Sequence, residues 1–181
     1  MAMKSLALVI TTLIAAPALA QSMPPTNAPA AGAAAVSTTR TLWTGVTGYI
    51  TQSAQDMSEA DYAFRPTPEV RTFGQLIAHI AGSQMMFCAA ALGETPQAED
   101  EIEKTKTTKA DLIAALKASN DYCARAYAQS DADAAGMTQL FGQDHSRLHA
   151  LMQNATHDSE HYGNIVTYMR LRGLVPPSSR R

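Results

Sequence analysis

The stretch HDSEHYGNIVTYMRLRGLVPPSS, residues 157–179, places two of the chain's five histidines four residues apart in its last amphipathic run. On a helix His157 and His161 differ by about 40° around the axis and one turn along it, so both imidazoles can face one point. Gly173, followed by Pro176 and Pro177, stops that helix sharply. Reading backwards, the same helix extends to Asp144 through HSRLHALMQNAT. An HxxxH pair alone fits a solvated polar face as well as a metal pair, so a third ligand has to decide between them.

His79 is that candidate. It lies in LIAHIAG, where the apolar neighbours force its side chain into the core or onto a partner. A core histidine bonded to a hydroxyl or carbonyl would explain it in isolation. Joined to the HxxxH, it reads as a ligand, because facing helices are how bundles assemble metal sites and neutral imidazole suits Zn²⁺, Ni²⁺ or Fe²⁺. His145 and His149 form a second HxxxH, projected some 80–120° away and two to three turns along the helix, too far to share that ion. Three histidines without a fourth protein ligand leave coordination positions open to water or substrate. Glu160, with Asp158 and Tyr162 beside it, is the nearest candidate for a general base or an orienting carboxylate, and equally a solvent-facing acid.

The rest of the domain follows from helical periodicity. Thr41 to Met57 repeats Leu42, Val46, Tyr49, Ile50 and Ser53 on one face. The connection DYAFRPTPEVR must be extended before its prolines. Thr72 and Gln75 form a capping-box pattern for a second helix that ends near Gly93 and is apolar nearly all round, as a buried bundle helix should be. The charged segment ETPQAEDEIEKTKTT is long enough to cross from one end of a bundle to the other. Thr108 or Thr107 caps a third helix with Leu112, Ala115, Leu116, Ser119 and Cys123 inside, and DADAAGMTQLFG reads as a loop. With no strand-period segment, the expected fold is all-α: an antiparallel four-helix bundle with a long crossover between the second and third helices.

Residues 1–20 have Lys4, an apolar run and Ala18-Leu19-Ala20, which reads as a signal peptide. Residues 21–37, rich in proline and alanine, read as a flexible linker, and 38–179 as the one domain. The expected location is periplasmic or secreted, with no stable membrane anchor once the signal is removed. A net charge of -2 with scattered lysine and arginine excludes a nucleic-acid surface. The expected partner is a small molecule, and the chain could also form a homodimer. Export permits a Cys88–Cys123 disulfide; two buried thiols are the alternative.

FRPTPEVRTFGQLIAHIAGSQ together with residues 157–179 resembles the DinB/YfiT-like family of metal-binding four-helix bundles, over about residues 41–179. The resemblance implies one divalent cation (Zn, Ni, Fe or Mn) held by His79, His157 and His161. Where the family carries Arg-Gly after the last histidine, this chain has Tyr162-Gly163; Gly163, lacking Cβ, would let a helix or ligand approach. Members of the family include thiol-dependent transferases and an isomerase. The resemblance therefore implies a metal-dependent enzyme activating water or a thiol, or else a non-catalytic metal- or ligand-binding bundle.

Overall fold

The computed structural model describes residues 34–180; the expected signal peptide and most of the expected linker lie outside them. Four long helices form the bundle: α1 (Ala35–Asp56), α2 (Phe73–Leu92), α4 (Lys109–Ala126) and α6 (Arg147–Leu171). Short helices α3 (Glu101–Thr105) and α5 (Asp131–Ala134) and an antiparallel hairpin of β1 (Met137–Leu140) and β2 (Gln143–Ser146) lie in the connections. Single 3-10 turns occur at Ala60–Ala63 and Pro177–Ser179.

The expected starts and stops of α2 and α4 are present as hydrogen bonds. Thr72 and Gln75 make a complete capping box, Gly93 closes α2 with φ 73°, and the Thr108 hydroxyl accepts from the Asp111 amide. Helix α1 begins at Ala35, ahead of Thr41 and within the expected linker, because its cap comes from elsewhere in the chain. The Asp131 carboxylate accepts the Ala35 and Val36 amides at 3.2 and 2.8 Å. Its buried face also differs from the expected one. Val46, Ile50 and Ser53 are inside as read, but Leu42 and Tyr49 are 65% and 40% exposed. Val36 and Trp43 take the interior, Trp43 stacking on Tyr127 and donating to Gln84 Oε1.

The crossover sets the topology. Cys88 and Cys123, each near the C-terminal end of its helix, are disulfide-bonded, and Leu112 at the start of α4 packs beside Gly74 at the start of α2. Thus α2 and α4 run in the same direction, which a short loop cannot connect. Tyr168 near the end of α6 reaches the carbonyl of Arg71 just before α2, and Lys109 at the start of α4 reaches Met57 at the end of α1. Both of those pairs are therefore antiparallel, and the bundle runs up, down, down, up. α2 packs on α4 and α6, and α1 on the other flank of the same two helices. α2 has the length and hydropathy of a membrane-spanning helix, but most of it is buried inside the bundle.

The stretch read as a loop contains α5, β1 and the hairpin turn; β2 takes residues 144–146, read as the start of the last helix, so α6 begins at Arg147, capped by Ser146, after the hairpin. Its two-residue turn, Phe141-Gly142, has φ of 52° and 75°, the left-handed conformation that tight hairpin turns require. The alternating apolar residues that usually announce a hairpin are missing from MTQL and QDHS, so only Gly142 signalled it.

Candidate metal centre

His79 projects from the middle of α2 towards α6, where His157 and His161 occupy consecutive turns. Nε2 of His161 lies 3.1 Å from Nε2 of His79 and 3.0 Å from Nε2 of His157. The three donor atoms all lie within 4.8 Å of one another. Burial is the main cause that holds all three imidazoles neutral, bringing His157 to about 3 and His161 to about 4 and lowering His79 as well. Neutral imidazoles carry one N–H each, and His161 Nε2 cannot satisfy two facing Nε2 atoms at once. A shared cation resolves that convergence. Nitrogens at bonds of about 2.0–2.1 Å sit roughly 2.9 Å apart around an octahedral ion and roughly 3.3 Å apart around a tetrahedral one. The separations from His161, 3.0 and 3.1 Å, fall between these, so the donor set fits a divalent ion.

The outer ring atoms define which nitrogen faces the centre. His79 Nδ1 lies 3.4 Å from Glu99 Oε1, and the same oxygen accepts the Ser83 hydroxyl at 2.5 Å. A carboxylate at Nδ1 favours the tautomer with Nδ1 protonated and Nε2 free to coordinate. Asn164 lies 3.3 Å from His161 Nδ1, and its amide oxygen, turned inward, would set the same tautomer. His157 Nδ1 is buried without a protein partner.

Glu99 belongs to the crossover and was not singled out in the sequence. It reaches His79 because Gly82 lets the chain in: a Cβ at residue 82 would overlap the Glu99 carbonyl oxygen. The signal was a glycine inside a buried helix. Gly163, read as the close-approach glycine, has nothing near the position of a Cβ and is exposed.

The other residues near the pair divide. Glu160 is exposed and borders a small hollow with Phe87, Phe141 and His157. Tyr162 turns away, stacking on Tyr49 and bonding Ser178. Asp158 is wholly buried, its two carboxylate oxygens have no protein partner, and burial pushes its carboxyl well above the ordinary range. His145 lies on β2, so with His149 it is not a helical pair; the rings stack at 4.1 Å, apart from the triad. Phe141 at the hairpin tip packs edge-on against Phe87, which in turn packs against His157. This apolar wall shields one side of the centre.

A bundle of this topology with one histidine on its second long helix and two on its last defines a class of small helical proteins. The profile of the DinB superfamily matches residues 42–165, and the chain belongs to that superfamily. Among solved structures, a DinB-like protein from Bacillus cereus shares 18% identity at a TM-score of 0.67, covering 77% of this chain and 93% of its own. A DinB-like protein from Bacillus subtilis shares 19% at 0.63, covering 80% and 99%. The mycothiol-dependent maleylpyruvate isomerase shares 19% at 0.59, covering 72% of this chain and 59% of its own. At these identities the likeness is one of fold. No curated protein matches the chain.

Proposed function

We propose that the protein is an exported metal-dependent enzyme in which His79, His157 and His161 hold one divalent cation. The observation that carries this reading is the convergence of three neutral Nε2 atoms on one point beside an open hollow lined by His161. When bound, such an ion supplies Lewis-acid activation of a water or a thiol, giving a hydrolase or a transferase. The isomerase of similar fold, which is mycothiol-dependent by name, supports the thiol arm. Glu160 is the proposed general base: it lies on the same helix as the pair, and its charge is felt at His79 and His161. Its exposure supports the competing reading of a non-catalytic metal-binding bundle.

Export rests on the N-terminal sequence and on the Cys88–Cys123 bridge, since disulfides persist in oxidising compartments. The test is metal analysis of the purified protein, followed by hydrolase and thiol-transfer screens with and without the metal found. We expect one equivalent of metal in the wild type and none in the His79, His157, His161 triple alanine variant; equal metal in both overturns the reading. Turnover lost in Glu160→Gln with metal retained supports catalysis; full turnover there removes Glu160 as the base. No turnover with any substrate class by metal-loaded protein favours the non-catalytic bundle.

A further inference from the structure

A hollow of about 580 Å³ opens beside His161, between the extended connection before α2 and the outer face of α6. Val70, Leu76 and Tyr168 give it apolar walls, and Arg71 is its single cationic lining residue. Arg71 is fixed twice. Its carbonyl accepts the Tyr168 hydroxyl at 2.6 Å, and its Nε is held by both Glu103 oxygens at 3.2 and 3.3 Å. Neither Nη group has a partner among the described residues. A guanidinium gripped at Nε and free at Nη is pre-organised to receive a planar anion. Arg71 is also close enough to the centre for its charge to be felt at all three histidines.

We propose that this hollow binds a small monocarboxylate with an apolar body, its carboxylate held by the Nη groups of Arg71 and its far end presented to His161. A doubly charged phosphate is disfavoured, because Glu69 and Glu103 also line the hollow and oppose a second negative charge. Arg71 is paired with Glu103, and no ion pair joins it to Glu69 among the described residues. What happens to the bound acid rests on the metal-centre reading; the binding at Arg71 does not.

The test is isothermal titration of zinc-loaded and metal-free protein with 3-phenylpropanoate, its neutral amide 3-phenylpropanamide, and phenyl phosphate. Wild type is compared with Arg71→Gln and Arg71→Lys, with circular dichroism and zinc content recorded for each. We expect the acid to bind both forms of the wild type, and Arg71→Gln to weaken it about tenfold or more, the scale of a hydrogen bond to a charged group, with fold and zinc content unchanged. Arg71→Lys should recover only part of that loss, and the amide and phosphate should bind weakly throughout. Absent binding, an amide that binds as well as the acid, or unchanged affinity in Arg71→Gln overturns the proposal. If binding needs zinc and ignores Arg71, the anion belongs to the ion, which leaves the metal centre standing. If the wild type takes up none of Zn²⁺, Ni²⁺, Fe²⁺ and Mn²⁺ yet binds the acid through Arg71, the metal centre falls and the hollow stands.

Discussion

At the scale of single residues, burial decides the chemistry of the centre. His79, His157 and His161 are held below their ordinary value of 6.5, His157 at about 3 and His161 at about 4, so acid protonates the unfolded chain before the folded one. The histidine contribution to the stability of the metal-free protein should therefore be level above about pH 6.5 and fall as the pH drops from there towards 4. Urea denaturation across that range should show a shallower fall in a His157→Gln, His161→Gln double variant; an equal slope would mean these rings are not the cause. Asp158 is the opposite case, an acid enclosed with no protein partner. Asp158→Asn keeps the shape and cannot ionise, so in urea denaturation its stability relative to the wild type should rise as the pH increases from about 4 towards 8. A fall across that range would reveal a partner that the carboxylate needs.

At the scale of elements, the crossover is part of the site. Gly82→Ala drives a methyl group into the Glu99 carbonyl, so either the crossover or α2 must shift. The expected cost is about 1–3 kcal/mol in a thermal or chemical melt, as for other overpacked positions. Divalent metal affinity should fall together with it, about tenfold or more, through loss of the carboxylate behind His79. Glu99→Gln should weaken metal binding with little change in the melt, which separates positioning of the imidazole from stability. How legible each element was depended on where its determinants lie. α2 and α4 were readable because Thr72, Gln75, Gly93 and Thr108 act on their own helices. The start of α1 was not, because its cap is Asp131, ninety-odd residues along the chain. The hairpin was not, because its pairing and turn, rather than an apolar alternation, define it. The triad was legible from spacing and from one histidine stranded among apolar residues. Glu99 and Arg71 were not, because both act from connections whose path depends on the packed bundle.

At the scale of the molecule, two separate cores lie along the bundle: one around Ile50, Phe73, Ile77 and Ile165, the other around Trp43, Tyr127, Leu151 and the disulfide. Leu112, Leu116, Leu151, Ala155 and Met169 are buried in them, whereas Leu148 and Val166 are half-buried at their edges. Such burial suffices for a domain of this size without an ion. His161→Ala should therefore keep its helical circular-dichroism spectrum and a cooperative melt while losing metal; an unfolded variant would make the ion structural. Reducing the bridge, or Cys88→Ser with Cys123→Ser, should cost about 4 kcal/mol of stability in the chain-entropy view, with metal binding retained at native conditions. Loss of metal in a still-folded double variant would show that the bridge also shapes the centre.

The disulfide also lies inside the span between the proposed ligands. His79 and His161 are 82 residues apart, and Cys88 and Cys123, 35 apart, fall within that interval. Two cross-links of this kind are nested, and the inner one shortens the tether that the outer one has to close. For an unfolded chain already oxidised, the path between the two imidazoles drops to about 47 residues, which lowers the entropy of bringing them together by about 0.5 kcal/mol. Oxidation thus favours later capture of the ion, and capture favours the oxidised chain by the same amount. Each cross-link, to that modest extent, makes the other easier to form, whichever comes first.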